Sequence, residues 1–313
     1  MKPASILVVT VNWNSGEKLK DCIKSFIAAS KPCVINLIVV DNCSEDGSEK
    51  FLEDMQEQHD CLSLVRSSKN IGFGNGCNLG VEIAKLKGIE YEFIIFLNPD
   101  TRLYENSFEL LFNSPSIEDK SIGIYGVQIF DDNGLTYSCS YFPTALNFWC
   151  KILGLNRFIY GTKSIHHHMR DFDHLCSREV DQVMGSFLMI RDSLFSDLNG
   201  FDAQFFVYFE EVDLCYRAKK NGYKVWFEGN SKIWHYGGGT TEKVEGYRLY
   251  LSISSRIRYF FKNSSCKSTF SILLLSFPIE LLVRALRSVI IFDLKGLKEV
   301  LRCYLLFSRR GIK

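Results

Sequence analysis

Apolar and polar positions fall into alternating blocks along the first hundred residues. Ser5–Trp13 (SILVVTVNW) is a near-continuous apolar run, the pattern of a strand buried on both faces. Ser15 stands where a helix needs its cap, and Leu19, Cys22, Ile23, Phe26 and Ile27 then recur at helical spacing. Ile35–Val40 predicts a second buried strand, and the turn-rich set from Asp41 to Ser48 leads into a polar helix ending near Gln58. Leu62–Val65 predicts a third strand, Asn70–Gly80 (NIGFGNGCNLG) opens another helix, and Phe93–Leu97 is a fourth strand. Alternation of this kind specifies an α/β fold with a mostly parallel, doubly wound sheet and flanking helices.

Beyond residue 100 the pattern loosens. Ile122–Phe130 predicts a strand, and the mixed segment from Asp131 to Glu179 carries His166, His167 and His168, whose consecutive placement reads as a solvated loop rather than a metal site. VDQVMGSFLMIR reads as a strand broken at Gly185, and FEEVDLCYRAKKNGYKVWF as a helix start followed by a strand. In the tail, Ser268–Ile279 is strongly apolar, but Pro278, Glu280, Arg284 and Arg287 interrupt it before the roughly 20 residues that a spanning helix needs. A helix lying in the membrane interface is expected, with a helical pair packed on the rest of the chain as the alternative.

Charge adds an asymmetry to this picture. The net charge of the 313 residues is only +1, yet from Lys243 onward fourteen Lys or Arg face four Asp or Glu, which leaves residues 1–242 acidic. A basic tail suits anionic lipid, and an acidic body needs a metal to receive a phosphate-rich ligand. The eleven scattered cysteines form no Cys-x-x-Cys pair, and Met1–Val11 is too short and wrongly flanked for a signal peptide, so a reducing, cytoplasmic setting is expected.

Four places carry candidate chemistry. Asn98, Pro99 and Asp100 fall at the carboxyl end of the fourth strand, the edge where open α/β sheets bind ligands, and a carboxylate there suits a divalent cation; the plain alternative is a proline turn. The glycines Gly72, Gly74, Gly76 and Gly80 lack the G-x-G-x-x-G spacing of dinucleotide folds and are expected to let backbone approach a base or a phosphate. Glu210, Glu211 and Asp213 crowd a helix start, where the helix dipole alone would favour them. With Phe205, Phe206 and Phe209 as an apolar wall, one of these carboxylates could instead serve as a general base. His235, followed by three glycines, adds a candidate ligand contact.

Four motifs in order, VDNCSEDGS, NIGFGNGCNLG, FLNPD, and GSFLMIR with FEEVDLCYR and its trailing His235, make the chain resemble the inverting glycosyltransferases of family two from about Ser5 to Thr241. That resemblance implies a GT-A catalytic domain over residues 1–241, and the tail's own pattern leaves 242–313 as a helical, basic, membrane-associating region, expected to be peripheral on the inner face of the cell membrane. By the same resemblance Val11, Asn12 and Trp13 surround the nucleoside, Asp41 meets the base, and Asn70 and Gly72 form the second nucleotide loop. Asn98 and Asp100 stand for the D-x-D-like signature with one carboxylate in place of two, a variant that resembles rhamnosyltransferases. Asp100 and His235 would hold Mg2+ or Mn2+. Glu211, paired with Glu210, takes the place of the catalytic base, and Gly185, Asp213 and Trp234 lie on the acceptor side. The implied reaction moves a sugar, with dTDP-L-rhamnose foremost and a UDP-hexose as the alternative, to a glycan or lipid-linked acceptor in surface polysaccharide assembly. Nucleic acid has no part in it. A nucleotidyltransferase would want a Gly-rich, Arg-bearing loop that TVNWNSGEK lacks. A non-catalytic nucleotide-sugar-binding module would not need the Glu211 pair.

Overall fold

The computed structural model describes residues 5–29, 34–157, 168–169, 172–237 and 245–312. Chain order begins β1 (Ser5–Asn12), α1 (Gly16–Ala29), β2 (Val34–Asp41), α2 (Ser48–Gln58), β3 (Leu62–Arg66), α3 (Phe73–Leu86), β4 (Phe93–Leu97) and β5 (Thr101–Leu103). It continues with α4 (Ser107–Phe112), β6 (Ile122–Asp131), β7 (Gly134–Thr136), β8 (Cys139–Ser140), α5 (Ala145–Ile152), β9 (Arg178–Val180), β10 (Gln182–Val183) and β11 (Phe187–Arg191). The remaining elements are α6 (Asp192–Asp197), α7 (Glu210–Lys220), β12 (Lys224–His235), α8 (Glu245–Asn263), α9 (Cys266–Leu274), α10 (Glu280–Ile290) and α11 (Leu294–Arg310). They divide into two compact units. The first comprises Met1–Ser140, Phe172–Ala203 and Glu211–Thr240, and the second Tyr141–Asp171, Gln204–Glu210 and Thr241–Lys313. The second unit thus takes in 141–171 and 204–210, which the sequence reading groups with the catalytic domain.

The first unit is built on a ten-stranded sheet whose main path runs β3-β2-β1-β4-β11-β6-β12-β5. Strands β3, β2, β1 and β4 are parallel to their neighbours. From β11 onward the sheet becomes mixed, because β11 lies antiparallel on both β4 and β6, and β12 runs parallel to β6 but antiparallel to β5. A mostly parallel sheet therefore describes the first half only. The first four strands are each separated by one helix, as parallel neighbours require, and the Asp192 amide closes the antiparallel β11–β4 ladder on the Glu92 carbonyl. Every residue of β4 is buried, and β1 is buried from Ile6 onward, as expected for strands covered on both faces. On α1 the buried residues are Leu19, Cys22, Ile23, Phe26 and Ala29, one stripe turned toward the core shared with Phe93, Ile95 and Tyr125. Each large apolar side chain buried in this way contributes about 1.5–3 kcal/mol.

The glycines of the second loop act differently from the expectation. Only Gly72, at φ 88°, lies in the loop, while Gly74, Gly76 and Gly80 are inside α3 on its buried side. A Cβ on Gly76 would come within 2.9 Å of the Val11 methyls, and one on Gly80 within 2.5 Å of Val9 Cγ1. Their task is to let α3 lie directly on β1 and β2. The VDQVMGSFLMIR segment is two strands rather than one, with β10 paired to β8 in a separate ribbon and β11 in the main sheet. Of the three consecutive histidines only His168 is among the described residues.

The second unit is helical, with α5, α8, α9, α10 and α11 as its elements. Pro278 does not end the apolar helix of the tail. A π-helical turn over Leu275–Ile279 absorbs it, and Cys266–Ile290 forms one run of 25 residues, long and apolar enough by length and composition to cross a bilayer. Glu280, read from sequence as an interruption, is 3% exposed and paired with Arg256 and Arg284. Only 28% of the most apolar window of that run is buried, so most of its apolar surface faces outward.

Replacing Gly80 by Ala should destabilise the protein by about 1–3 kcal/mol, because overpacking against Val9 outweighs the roughly 1 kcal/mol that alanine gains in a helix. Urea unfolding of the Gly80→Ala variant measures this, and an unchanged or raised midpoint would show that α3 can shift off the sheet.

Candidate active site

The parallel strands deliver their carboxyl ends to one edge of the sheet, and the switch in strand order lies between β1 and β4. At the ends of β1 and β2 a buried polar network forms. Asn12 Nδ2, with two hydrogens, lies within hydrogen-bond reach of Asp41 Oδ1 at 2.8 Å, Ser48 Oγ at 2.7 Å and Ser44 Oγ at 3.0 Å, and the Ser44 amide donates to Asp41 Oδ2 at 3.1 Å. Asn12 is fully buried and Asp41 is 5% exposed, so Asn12 acts as the support that fixes the Asp41 carboxylate. Both carboxylate oxygens keep spare lone pairs for a further donor. Val11 is buried under α3, and Trp13 is half-buried at the strand exit.

Asn42 is the residue that sequence reasoning missed here. Its Nδ2 donates to Asn70 Oδ1 at 3.0 Å and to the Gly72 carbonyl at 3.1 Å, and its Oδ1 accepts from the Ile71 amide at 2.9 Å. Asn70 Oδ1 also accepts from the Gly72 amide at 2.9 Å. One buried amide thereby joins the Asp41 loop to the Asn70–Gly72 loop across 28 residues of sequence. The one available signal was its position immediately after Asp41.

At the end of β4, a tight turn carries Asn98, Pro99 and Asp100. The Asn98 carbonyl accepts from the Thr101 amide at 3.3 Å and from Thr101 Oγ1 at 2.7 Å. β12 then returns antiparallel to β5 with His235 opposite Thr101, and the Tyr236 amide donates to the Asp100 carbonyl at 3.0 Å. The result places His235 Nε2 3.2 Å from Asp100 Oδ1, across 135 residues of sequence. His235 ends a 12-residue strand. Trp234, one residue earlier, is half-buried and stands opposite Arg102 in the ladder. Cys22 Sγ lies 3.5 Å from Thr101 Oγ1, but burial, with some help from the Asp100 charge, pushes its thiol up to about 12. A neutral thiol of this kind does not add a metal ligand.

Among the described residues no group of three or more His, Cys, Asp or Glu converges as a closed metal cage. An Asp and a His side by side nevertheless suit Mg2+ or Mn2+ in the way such ions bind at phosphate sites, with one or two protein ligands and the rest from phosphate oxygens and water. Asn98, half-buried beside Asp100, adds an oxygen of the right type.

The third cluster adjoins the second through the sheet. The Asn98 amide donates to the Ser186 carbonyl at 3.0 Å, and Gly185 next to it lies against Glu211, where an added Cβ would be 3.5 Å from Glu211 Cγ. Glu211 is half-buried, yet its Oε2 is buried without a hydrogen-bond partner, as is Ser186 Oγ. Burial raises the Glu211 carboxyl above the ordinary carboxylate range, and the amides of Glu211 and Val212 at the helix start only partly oppose this. Tyr208 and Phe209, both at φ 69°, precede α7 in the left-handed region, which bulky residues seldom adopt. Glu210 is buried, and Phe205 and Phe209 pack within the second unit, Phe209 against Tyr259 at 5.5 Å between ring centroids.

Asp213 departs from its expected place among acceptor contacts. It is fully buried and receives Arg217 Nε at 2.7 Å, while Arg217 Nη1 and Nη2 donate to the Leu198 and Gly200 carbonyls at 2.7 and 2.8 Å. The helical spacing of four residues makes this pair, and its role is to anchor α7 to the NGFD turn.

Residues 5–195 match Glycosyl transferase family 2, and the chain belongs to that family. The chain is similar to the low-salt glycan biosynthesis hexosyltransferase Agl10 of Haloferax volcanii, 25% identical over 70% of this chain and 62% of the relative, so the match spans less than two thirds of that protein. It is also similar to the rhamnosyltransferase WbbL of Escherichia coli K12, 26% identical over 72% of this chain and 92% of the relative. Among solved structures it shares its fold with the mannosyltransferase PcManGT of Pyrobaculum calidifontis in complex with GDP-Man and Mn2+, at a TM-score of 0.56 and 12% identity over 99% of this chain and 77% of that one. The fold is accordingly GT-A-like.

Because the fold holds the Glu211 carboxyl high, folding makes its ionisation more costly than it is in the unfolded chain. The stability present while the carboxyl is neutral is complete below the ordinary value of 4.5 and is lost as pH rises through the folded-state value. The Glu211→Gln variant should therefore be more stable than the wild type at neutral pH and equal to it in acid. Chemical unfolding across pH tests this, and a variant less stable than the wild type at neutral pH would contradict the burial account.

Proposed function

We propose that the chain transfers a sugar from a nucleotide-sugar to a hydroxyl of a glycan or lipid-linked acceptor, with inversion at the anomeric carbon. The observation that carries this reading is the Glu211 carboxyl, raised by burial and with Oε2 lacking any partner, next to the turn that bears Asp100. A buried carboxyl oxygen without a donor is costly, and an acceptor hydroxyl would supply that donor. A pure binding module has no need of such a group.

In the reaction the ionised Glu211 takes the proton of the acceptor hydroxyl as that oxygen attacks the anomeric carbon. The bond from that carbon to the diphosphate breaks, and its electron pair leaves with the nucleoside diphosphate. Asn12 and Ser44 hold Asp41 ready for the base, and Asn42 keeps the Asn70–Gly72 loop against it. Asp100 and His235, with Asn98 beside them, would hold Mg2+ or Mn2+. When bound, that ion supplies positive charge to the departing diphosphate. Gly185 and Trp234 border the acceptor side.

For the donor, a UDP- or GDP-hexose is the stronger reading. One relative is named a hexosyltransferase, and the solved structure with the shared fold holds GDP-Man. dTDP-L-rhamnose is the second reading, favoured by the single-carboxylate Asn98-Pro99-Asp100 signature and the name of the Escherichia coli relative. The product belongs to surface polysaccharide assembly. Residues 1–241 carry the catalysis, and the basic, helical region 242–313 rests on the inner face of the cell membrane through the outward apolar surface of Cys266–Ile290.

A thermal-shift panel of UDP-sugars, GDP-mannose and dTDP-rhamnose, each with and without Mg2+ or Mn2+, tests the donor assignment. The right donor at 100 times its dissociation constant adds about 2.7 kcal/mol, and the shift should need metal and vanish in Asp100→Asn. No metal-dependent shift with any donor would sink the reading. Glu211→Gln should keep donor binding and lose roughly 10²- to 10⁴-fold in transfer. Near wild-type turnover in that variant would remove Glu211 from the mechanism.

A further inference from the structure

Helices α5, α8 and α10 of the second unit border an open pocket of about 600 Å³. Lys151, Arg256, Arg284 and Arg287 line it, and one carboxylate, Glu280, faces them. Glu280 is already committed on both oxygens. Arg256 Nη2 donates to its Oε2, and Arg284 Nε and Nη2 donate to its Oε1 at 3.0 and 2.8 Å. Burial works to raise the Glu280 carboxyl, but the two guanidiniums outweigh it and hold it below its ordinary value, so it is ionised and used up.

Among the residues lining the pocket four cations face one anion, and neither Lys151 nor Arg287 has an ion-pair partner among the described residues, while Arg284 and Arg287 also border a second pocket that holds Asp293 and Glu299. Arg256 is only 6% exposed, and its Nε is buried with no hydrogen-bond partner. The ring of Phe148 covers its guanidinium at 4.7 Å, which fixes the fork in place. Loss of water lowers the Lys151 pKa, Glu280 draws it back up, and Arg256 and Arg284 lower it again. Lys151, Arg284 and Arg287 are exposed at the rim, and the buried Arg256 Nε is the donor left without a partner, which an anion from outside would meet.

The required ligand is compact and multiply charged. A carboxylate brings one charge, whereas a phosphomonoester or diphosphate brings two or three, with oxygens suited to guanidinium forks. Leu249 and Val283 add apolar wall to the same pocket, and α10 continues outward with Leu282, Leu286 and Ile290 exposed. We propose that this pocket is a binding site for a phosphomonoester or diphosphate group, separate from the donor site of the sheet. Such a group arrives either on a lipid head or free in solution.

The test uses the full-length protein and inorganic pyrophosphate in excess EDTA, so that a metal-dependent donor site is silent. Titration calorimetry should show binding in the wild type and in Asp100→Asn, and a loss of roughly 10- to 30-fold in the Lys151→Gln/Arg287→Gln double variant. The double variant leaves the Arg256–Glu280–Arg284 cluster whole, so the helices keep their packing. Vesicle sedimentation then separates the sources. If the double variant binds phosphatidic acid vesicles less well than the wild type while both bind phosphatidylglycerol vesicles of equal charge alike, the group is a lipid head. If pyrophosphate binding alone falls, the ligand is free. No binding in the wild type, equal affinity in the double variant, or a loss in Asp100→Asn would overturn the proposal.

Discussion

The contact on which the site depends is the antiparallel ladder between β12 and β5. It carries His235 to Asp100 from 135 residues away and sets the Tyr236 amide on the Asp100 carbonyl. A second ladder, β11 on β4, brings the Ser186 carbonyl to the Asn98 amide, and with it Gly185 and the Glu211 side chain. Both ladders are made of backbone hydrogen bonds between strands with buried side chains. They are held by the same burial that forms the core, so the chemistry rests on rigid elements rather than on free loops.

The polar groups at the strand ends are supported unequally, and the inequality is informative. Asn12, Asp41 and Asn42 are buried and bonded through several polar atoms, which makes their loops a preorganised frame. Glu211 Oε2 and Ser186 Oγ are buried and unsatisfied. Natural cores seldom leave such atoms bare, and where they do the atom calls for a reason such as a catalytic role or a bound water or ion. The second unit shows the same contrast, with Glu280 saturated by two arginines while Arg256 Nε stays bare.

Much of the fold was legible in the chain because its signals are local. The unbroken apolar runs of β1, β2 and β4 and the helical stripe of α1 follow from burial on two faces or one, and each can be read from a window of ten residues. The places of Asp41 and Asp100 at strand ends and of Glu211 at a helix start were legible as well. The glycines of α3 were misread, because the partner that demands a small residue, Val9 or Val11, lies on another element. The Asp213–Arg217 pair was hidden for a similar reason: a carboxylate at a helix start shows nothing of the Leu198 and Gly200 carbonyls that hold its arginine. Pro278 misled because a π-helical turn can absorb a missing amide without ending the helix.

Sequence alone determined the alternation of strands and helices, the residue types offered at the strand ends, and the basic character of the tail, all of which are properties of neighbouring residues. Tertiary structure decided the rest. It chose the mixed sheet order, the Asp100–His235 pair, the seat of Glu211 against Gly185, and the pocket that gathers Lys151, Arg256 and Arg287 around a saturated Glu280. These depend on register and packing between segments far apart in the chain, where a shift of one residue in a strand turns each side chain to the opposite face.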